Sequence, residues 1–151
     1  MEFQKEVQSI LIIDDDIDDY ELVREAFQQI NPGIAVYYVK SCEDAISYRH
    51  QSFDLVLLDI NMPQLDGFSW LKKIRDHGYT NLPVIMYTNS LSPTHIAKAY
   101  EEGANLYFTK PETFSALIKS LQALIRMDWS NPFSVTEKYR NQGHYKTFRL
   151  E

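Results

Sequence analysis

The sequence predicts an α/β fold, doubly wound, in which a five-stranded parallel sheet carries helices on both faces. Three observations lead there. Five short runs rich in apolar and β-branched residues, at 10–13, 35–39, 55–58, 84–87 and 106–108, are bounded by polar residues, Gly or Pro and read as strands. The stretches between them have helical spacing. Strand and helix alternate strictly, and parallel strands need crossover connections whose helices each bury a face of the sheet.

The elements follow in order. After the first strand, Leu22, Val23, Ala26, Phe27 and Ile30 define one helix face. The second strand leads to a weaker helical stretch at 41–50, opened by Ser41 and Asp44 as a capping box. Past the third strand, Met62-Pro63 and Asp66-Gly67 make a turn and an entry to a helix at 68–76. The fourth strand precedes Ser92-Pro93, an N-cap followed by Pro at the first helical position, for a helix at 93–102. After the fifth strand, Phe114, Leu117, Ile118, Leu121 and Ile125 mark a strongly amphipathic helix that fades near Met127.

Composition bounds the rest. A chain of 151 residues with 44% hydrophobic and 13% aromatic content supports one core. The reading is one domain at 1–127 and an aromatic C-terminal extension at 128–151, without a separate output domain. From Arg126 onward the chain is slightly basic and carries Trp129, Phe133, Tyr139, Tyr145 and Phe148, too aromatic for a typical disordered tail. A net charge of −6 argues against general affinity for nucleic acid or anionic membranes. Cys42 is the only cysteine, the N-terminus lacks a signal-peptide core, and no apolar run reaches membrane-spanning length. A soluble, cytoplasmic protein is expected.

In open α/β sheets ligands bind outside the carboxyl ends of the strands, so the residues just past each apolar run are the place to look for chemistry. There stand Asp14 and Asp15, then Asp59, Thr88, and Lys110 followed by Pro111. Three carboxylates in one cleft repel one another unless a cation neutralises them. An all-oxygen set without nearby Cys or His suits a hard ion, and Mg²⁺ is the expected cofactor. A carboxylate can also attack phosphorus and form an acyl phosphate when charge and geometry are compensated. Lys110 supplies the cation and Thr88 a hydroxyl donor. Asp16 lies just past the pair, and Asp18 and Asp19 suit the dipole-favoured first turn of the helix. His50, His77, His95 and His144 show no metal spacing and read as surface residues. No G-x-S-x-G elbow, P-loop or G-x-G-x-x-G occurs.

Four motifs, LIIDDD at 11–16, LVLLDINMPQLDG at 55–67, PVIMYTN at 83–89 and GANLYFTKP at 103–111, resemble the receiver domain of two-component response regulators over residues 7–127. The resemblance implies a flavodoxin-like (βα)5 sheet of order 2-1-3-4-5. It implies that Asp59 is the phospho-acceptor, charged by a sensor histidine kinase, a histidine phosphotransfer protein or a small acyl phosphate. Asp14, Asp15, Asp59 and the backbone carbonyl of Asn61 would hold Mg²⁺, while Thr88 and Lys110 bind the phosphoryl oxygens. Tyr107 would be an aromatic switch that turns inward when Thr88 moves, and the Lys110–Pro111 bond would be cis. Such a domain is a phospho-accepting signalling module that hydrolyses its own phospho-aspartate, rather than a turnover enzyme. Two positions depart from the family pattern: Asn89, where a small residue is common, and Cys42, where Gly is frequent.

Two other functions compete. A haloacid dehalogenase-like Mg²⁺-dependent phosphatase places D-x-D after its first strand, and Asp14 with Asp16 has that spacing. That reading leaves Asp59 and the INMPQLDG behind it unexplained. A transcription factor would need a DNA-binding module, for which the segment after 127 is too short. No direct DNA or membrane binding is therefore expected, and the module would act on a downstream protein target. The rings of the extension suggest homodimer or partner contacts.

Overall fold

The computed structural model describes residues 6–41, 53–60, 66–141 and 144–148. Twelve elements follow one another in these residues: β1 Ser9–Ile13, α1 Ile17–Ile30, β2 Ala35–Val39, β3 Leu55–Leu58, α2 Gly67–Asp76, β4 Val84–Thr88, α3 Pro93–Glu101, β5 Leu106–Thr109, α4 Phe114–Ile125, α5 Pro132–Tyr139, β6 Arg140–Asn141 and β7 His144–Tyr145. Of the predicted helix at 41–50, residues 42–50, with Cys42, Asp44 and His50, lie outside the described residues.

Five strands form one parallel sheet in the order β2-β1-β3-β4-β5. The order arises because β1 pairs with both β2 and β3, so the chain winds first one way and then the other. β3 and β4 are buried along their whole length, as expected of strands covered on both faces. β2, at the edge, alternates between exposed and more buried positions. Side chains alternate across each strand and divide the core in two. Ile10, Ile12, Leu55, Leu57 and Ile85 pack under Val23, Ala26 and Phe27 of α1 and Leu117, Leu121 and Leu124 of α4. Leu11, Ile13, Val56, Leu58, Val84 and Met86 meet Phe68, Trp70 and Leu71 of α2 and Ala99 and Tyr100 of α3.

The helix ends follow side-chain chemistry. Asp16, Asp66, Ser92 and Thr113 each cap a helix by accepting a backbone N–H. α1 departs from its expected face: Leu22 is 43% exposed. The buried stripe runs through Val23, Ala26 and Phe27, and at about 100° per residue Leu22 falls on its flank. His95 is half-buried rather than on the surface, its Nδ1 lying 2.7 Å from Ser90 Oγ.

The extension folds against its own domain. Trp129 is buried and donates from Nε1 to the Leu124 carbonyl at 2.8 Å. Asn131-Pro132 opens α5, and the β6–β7 hairpin carries the chain to Phe148, which is buried beside β5. Phe148 forms a parallel bridge with Phe108, and its N–H donates to the Tyr107 carbonyl at 2.6 Å. β5 is the last strand of the sheet, so this contact covers an edge whose polar groups would otherwise invite pairing with another chain. Phe133 remains 60% exposed.

α5 is also tied to the opposite end of β5. Thr136 donates its hydroxyl to the Asn105 carbonyl at 3.0 Å, and Asn105 Oδ1 accepts from Val84 N and from Arg75. The Arg75 guanidinium further donates to the carbonyls of Gly103, Tyr79 and Leu82. Burial lowers its pKa to about 10. It remains a cation at neutral pH, satisfied by four neutral acceptors.

Candidate functional site: a carboxylate cluster at the strand ends

Register places the acids. Ile13 pairs with Val39 on one side and Leu58 on the other, so Asp14 and Asp59 leave adjacent strands at the same level. The hydrogen-bond ladder continues past the strands, with Asp14 N donating to the Val39 carbonyl (3.2 Å) and Asp59 N to the Ile13 carbonyl (3.0 Å). Asp14 is 1% and Asp59 7% exposed, while Asp15 faces solvent. One carboxylate oxygen from each of the three lies within 4.8 Å of the others. Asp14 Oδ1 accepts from Asp16 N at 2.9 Å, and Asp59 Oδ1 from Ile60 N at 2.8 Å. These bonds aim the side chains with local backbone donors.

Gly67 is required by the same geometry. A Cβ there would lie 2.2 Å from the Asp59 carbonyl oxygen, so the Asp-Gly entry to α2 lets the backbone pass directly behind the acid. Asn61, Met62 and Pro63 lie outside the described residues.

Thr88 closes β4 with no exposed surface, and the Lys110 N–H donates to its carbonyl at 2.8 Å. From that anchor the Lys110 ammonium reaches back across the pocket to Asp19 Oδ2 at 2.7 Å, Asp14 Oδ2 at 2.9 Å and Asp59 Oδ2 at 3.7 Å. Burial alone would lower the Lys110 pKa, but the hydrogen bonds it donates to Asp19 and Asp14, together with the charges of Asp14 and Asp59, outweigh it and hold the ammonium above its ordinary value. For Asp14, burial prevails over its hydrogen bonds and raises the carboxyl from 3.8 to about 6. Asp19 was read from sequence only as part of a helix start. Its pairing with Lys110, 91 positions away, has no local signal.

Asp16 accepts from Asp18 N at 3.0 Å and caps α1. The second acid of the D-x-D alternative therefore serves the helix, while Asp59 stands inside the pocket. No cis peptide bond occurs among the described residues, so Lys110–Pro111 is trans and the expected cis bond is corrected. Trans is the lower-energy isomer even for X-Pro.

Tyr107 is already turned inward. It has no exposed surface, and its hydroxyl donates to the Ser90 carbonyl at 2.7 Å. Ser90 N lies 3.4 Å from Thr88 Oγ1, which places the hydroxyls of Thr88 and Tyr107 on one short loop. Asn89 is exposed.

Asp14, Asp19 and Asp59 thus face one ammonium, and Asp15 adds a further carboxylate to the cluster of Asp14 and Asp59. The imbalance and the all-oxygen donor set fit a hard divalent cation held by Asp14, Asp15 and Asp59. A five-stranded parallel sheet of this order gathers acids from separate strand ends into one pocket at its carboxyl edge.

Comparison with known proteins agrees. Residues 10–122 match the response regulator receiver domain. The sensory transduction protein BceR of Halalkalibacterium halodurans is 31% identical over 118 residues, covering 78% of this chain and 49% of BceR. The phosphorylated cyanobacterial phytochrome response regulator RcpA superposes with a TM-score of 0.74 at 25% identity, covering 83% of this chain and 96% of RcpA. The Mn²⁺-bound form of response regulator Rcp1 gives 0.68 at 25% identity, covering 78% and 91%. The chain belongs to the receiver-domain family of two-component response regulators, and it spans about half the length of BceR. Among the described residues no helix is long and apolar enough to cross a membrane.

Proposed function

We propose that this chain is a cytoplasmic phosphorelay receiver in which Asp59 accepts a phosphoryl group from a histidine kinase, a histidine phosphotransfer protein or a small acyl phosphate. The observation that carries the reading is the buried Asp59 carboxylate, clustered with Asp14 and 3.7 Å from the Lys110 ammonium at the sheet's carboxyl edge. A carboxylate oxygen of Asp59 attacks phosphorus and a mixed anhydride forms, as the bond to the donor breaks with its electron pair leaving on the imidazole of a phosphohistidine (P–N) or on the carboxylate of an acyl phosphate (P–O). Lys110 meets the phosphoryl oxygens as a point charge, and Thr88 donates its hydroxyl to another of them. Hydrolysis returns Asp59 to the carboxylate, with water attacking phosphorus.

Mg²⁺ is the proposed cation, held by Asp14, Asp15, Asp59 and the backbone carbonyl of Asn61. When bound it neutralises the acids and the incoming phosphoryl charge. Asp14, whose burial raises its carboxyl to about 6, would hold the cation as the carboxylate, so binding would weaken as pH falls below about 6.

The output is a change of protein contacts rather than DNA binding by these residues, which carry a net charge of −6. Thr88 and Tyr107, joined through Ser90, form the switch. In a homodimer formed through the extension, Phe133 is the ring left free to contribute. A single cysteine in 151 residues suits a reducing compartment.

Intact mass after incubation with Mg²⁺ and acetyl phosphate tests the reading. One phosphoryl adduct is expected on the parent chain and none on Asp59→Asn. An adduct that survives the substitution moves the acceptor elsewhere.

A further inference from the structure

We infer that the C-terminal segment is a working part of the switch: Lys146 and Phe148 clamp Tyr107 in its buried position, so that docking of the segment and phosphorylation of Asp59 strengthen each other. The inference rests on the function proposed above and extends it to residues beyond the family match at 10–122.

Both backbone groups of Tyr107 are engaged by the segment. Its carbonyl accepts from Phe148 N at 2.6 Å. Its N–H donates to the Tyr100 hydroxyl at 3.1 Å, and that hydroxyl donates in turn to the Lys146 carbonyl at 2.6 Å. Tyr100 therefore acts as a rung between β5 and the segment. Rings reinforce the clamp: Tyr145 stacks on Tyr100 at 5.7 Å, and Phe148 meets Phe108 edge-on at 5.3 Å and Tyr139 at 6.4 Å. The segment is fixed at its start by Trp129 and along α5 by Thr136, so two anchored points lead into the clamp.

The other side of Tyr107 faces the phosphorylation pocket. Its hydroxyl holds the Ser90 carbonyl, and the Ser90 N–H faces Thr88 Oγ1. When the Thr88 hydroxyl turns to a phosphoryl oxygen, the 88–90 loop must settle around its remaining ties, His95 on Ser90 Oγ and the Tyr107 hydroxyl on the Ser90 carbonyl. An outward turn of Tyr107 gives up the second of these ties and disturbs the strand edge on which Phe148 sits. Phosphoryl group and clamp thus favour the same inward position. Coupling between two sites is reciprocal, so whatever the clamp contributes to the phosphorylated state is returned as tighter docking of the clamp. A segment that merely covered the β5 edge would satisfy backbone groups without sensing Asp59.

Hydrogen exchange on the full chain separates the two roles. Amide exchange is followed with Mg²⁺ alone and with Mg²⁺ plus acetyl phosphate, with the adduct verified by intact mass. The N–H groups of Lys146 and Phe148 are expected to exchange at least about fivefold more slowly in the phosphorylated chain, the lower end of usual coupling. In Phe148→Ala, which loses the ring, and in Tyr100→Phe, which loses the rung, the adduct is expected to decay severalfold faster than in the parent. A stable adduct with unchanged or faster exchange at both amides overturns the clamp and leaves the receiver function standing. Absence of any adduct overturns the proposed function, and the clamp's role with it.

Discussion

The Lys110 ammonium sits 2.7 Å from Asp19 and 3.7 Å from Asp59. The cation proposed to meet the incoming phosphoryl group is therefore held more closely by an acid of the first turn of α1 than by the acceptor. Asp19, 23% exposed at its side chain, would compete with the incoming phosphoryl group for Lys110 in the proposed reaction.

Replacing this competitor should sharpen phosphoryl acceptance. Asp19→Asn keeps the side-chain volume, removes one negative charge from the path of an anionic donor and frees the ammonium. A gain of about 1 kcal/mol, roughly fivefold in the rate of adduct formation with acetyl phosphate, is expected for one partly exposed pair. A rate equal to or below the parent's would show that Asp19 helps position Lys110 rather than restrain it.

Asp14 makes stability depend on pH in an unusual direction. Its carboxyl is raised from 3.8 to about 6, so the folded chain binds the proton more tightly than the unfolded chain. The stabilisation from this site is fully present below about pH 4 and is lost as pH rises through about 6. In divalent-free buffer, Asp14→Asn should match the parent at low pH and exceed it above pH 6 by on the order of 2 kcal/mol. Denaturant midpoints across that range decide the matter, and an equal gap at every pH would remove Asp14 as its source.

The same proton competes with the metal. Mg²⁺ at about 100 times its dissociation constant should stabilise the parent by about 2.7 kcal/mol near neutral pH. The gain should shrink below about pH 6, where Asp14 carries a proton, and should collapse in Asp14→Asn. Thermal melts with and without Mg²⁺ measure it. Full stabilisation in the variant would place the ion elsewhere.

Gly67→Ala tests the backbone behind the acceptor. The new Cβ would be driven against the Asp59 carbonyl at 2.2 Å, and the loop must shift to admit it. A loss of about 1–3 kcal/mol is expected, with slower adduct formation. Chemical denaturation and intact mass read the two effects separately, and an unperturbed variant would show that the close approach is dispensable.

The sheet and most of the pocket were legible because strand and site share one signal. A Val/Ile/Leu run names the strand, and the polar residue that ends it is the site residue, as with Leu58 before Asp59 and Phe108-Thr109 before Lys110. Contacts that join distant residues carry no such signal. Asp19 meets Lys110 only because α1 starts beside the end of β5, and Phe148 meets Tyr107 only because the chain returns along β5. Leu22 misled for a local reason: it neighbours the buried stripe without belonging to it. The start of α5 is carried by Asn131-Pro132, a helix-opening pair set among the aromatic residues.

The ladder that runs one rung past β1 and β3 ties the backbones of the two buried acids to the core beneath them. The main chains of Asp14 and Asp59 cannot spread or draw together without breaking bonds to Val39 and Ile13. A larger or smaller cation at the proposed site would therefore be accommodated by side-chain rotation and from the solvent side, by Asp15 and by retained water. Ion choice would then depend most on the one exposed wall of the pocket.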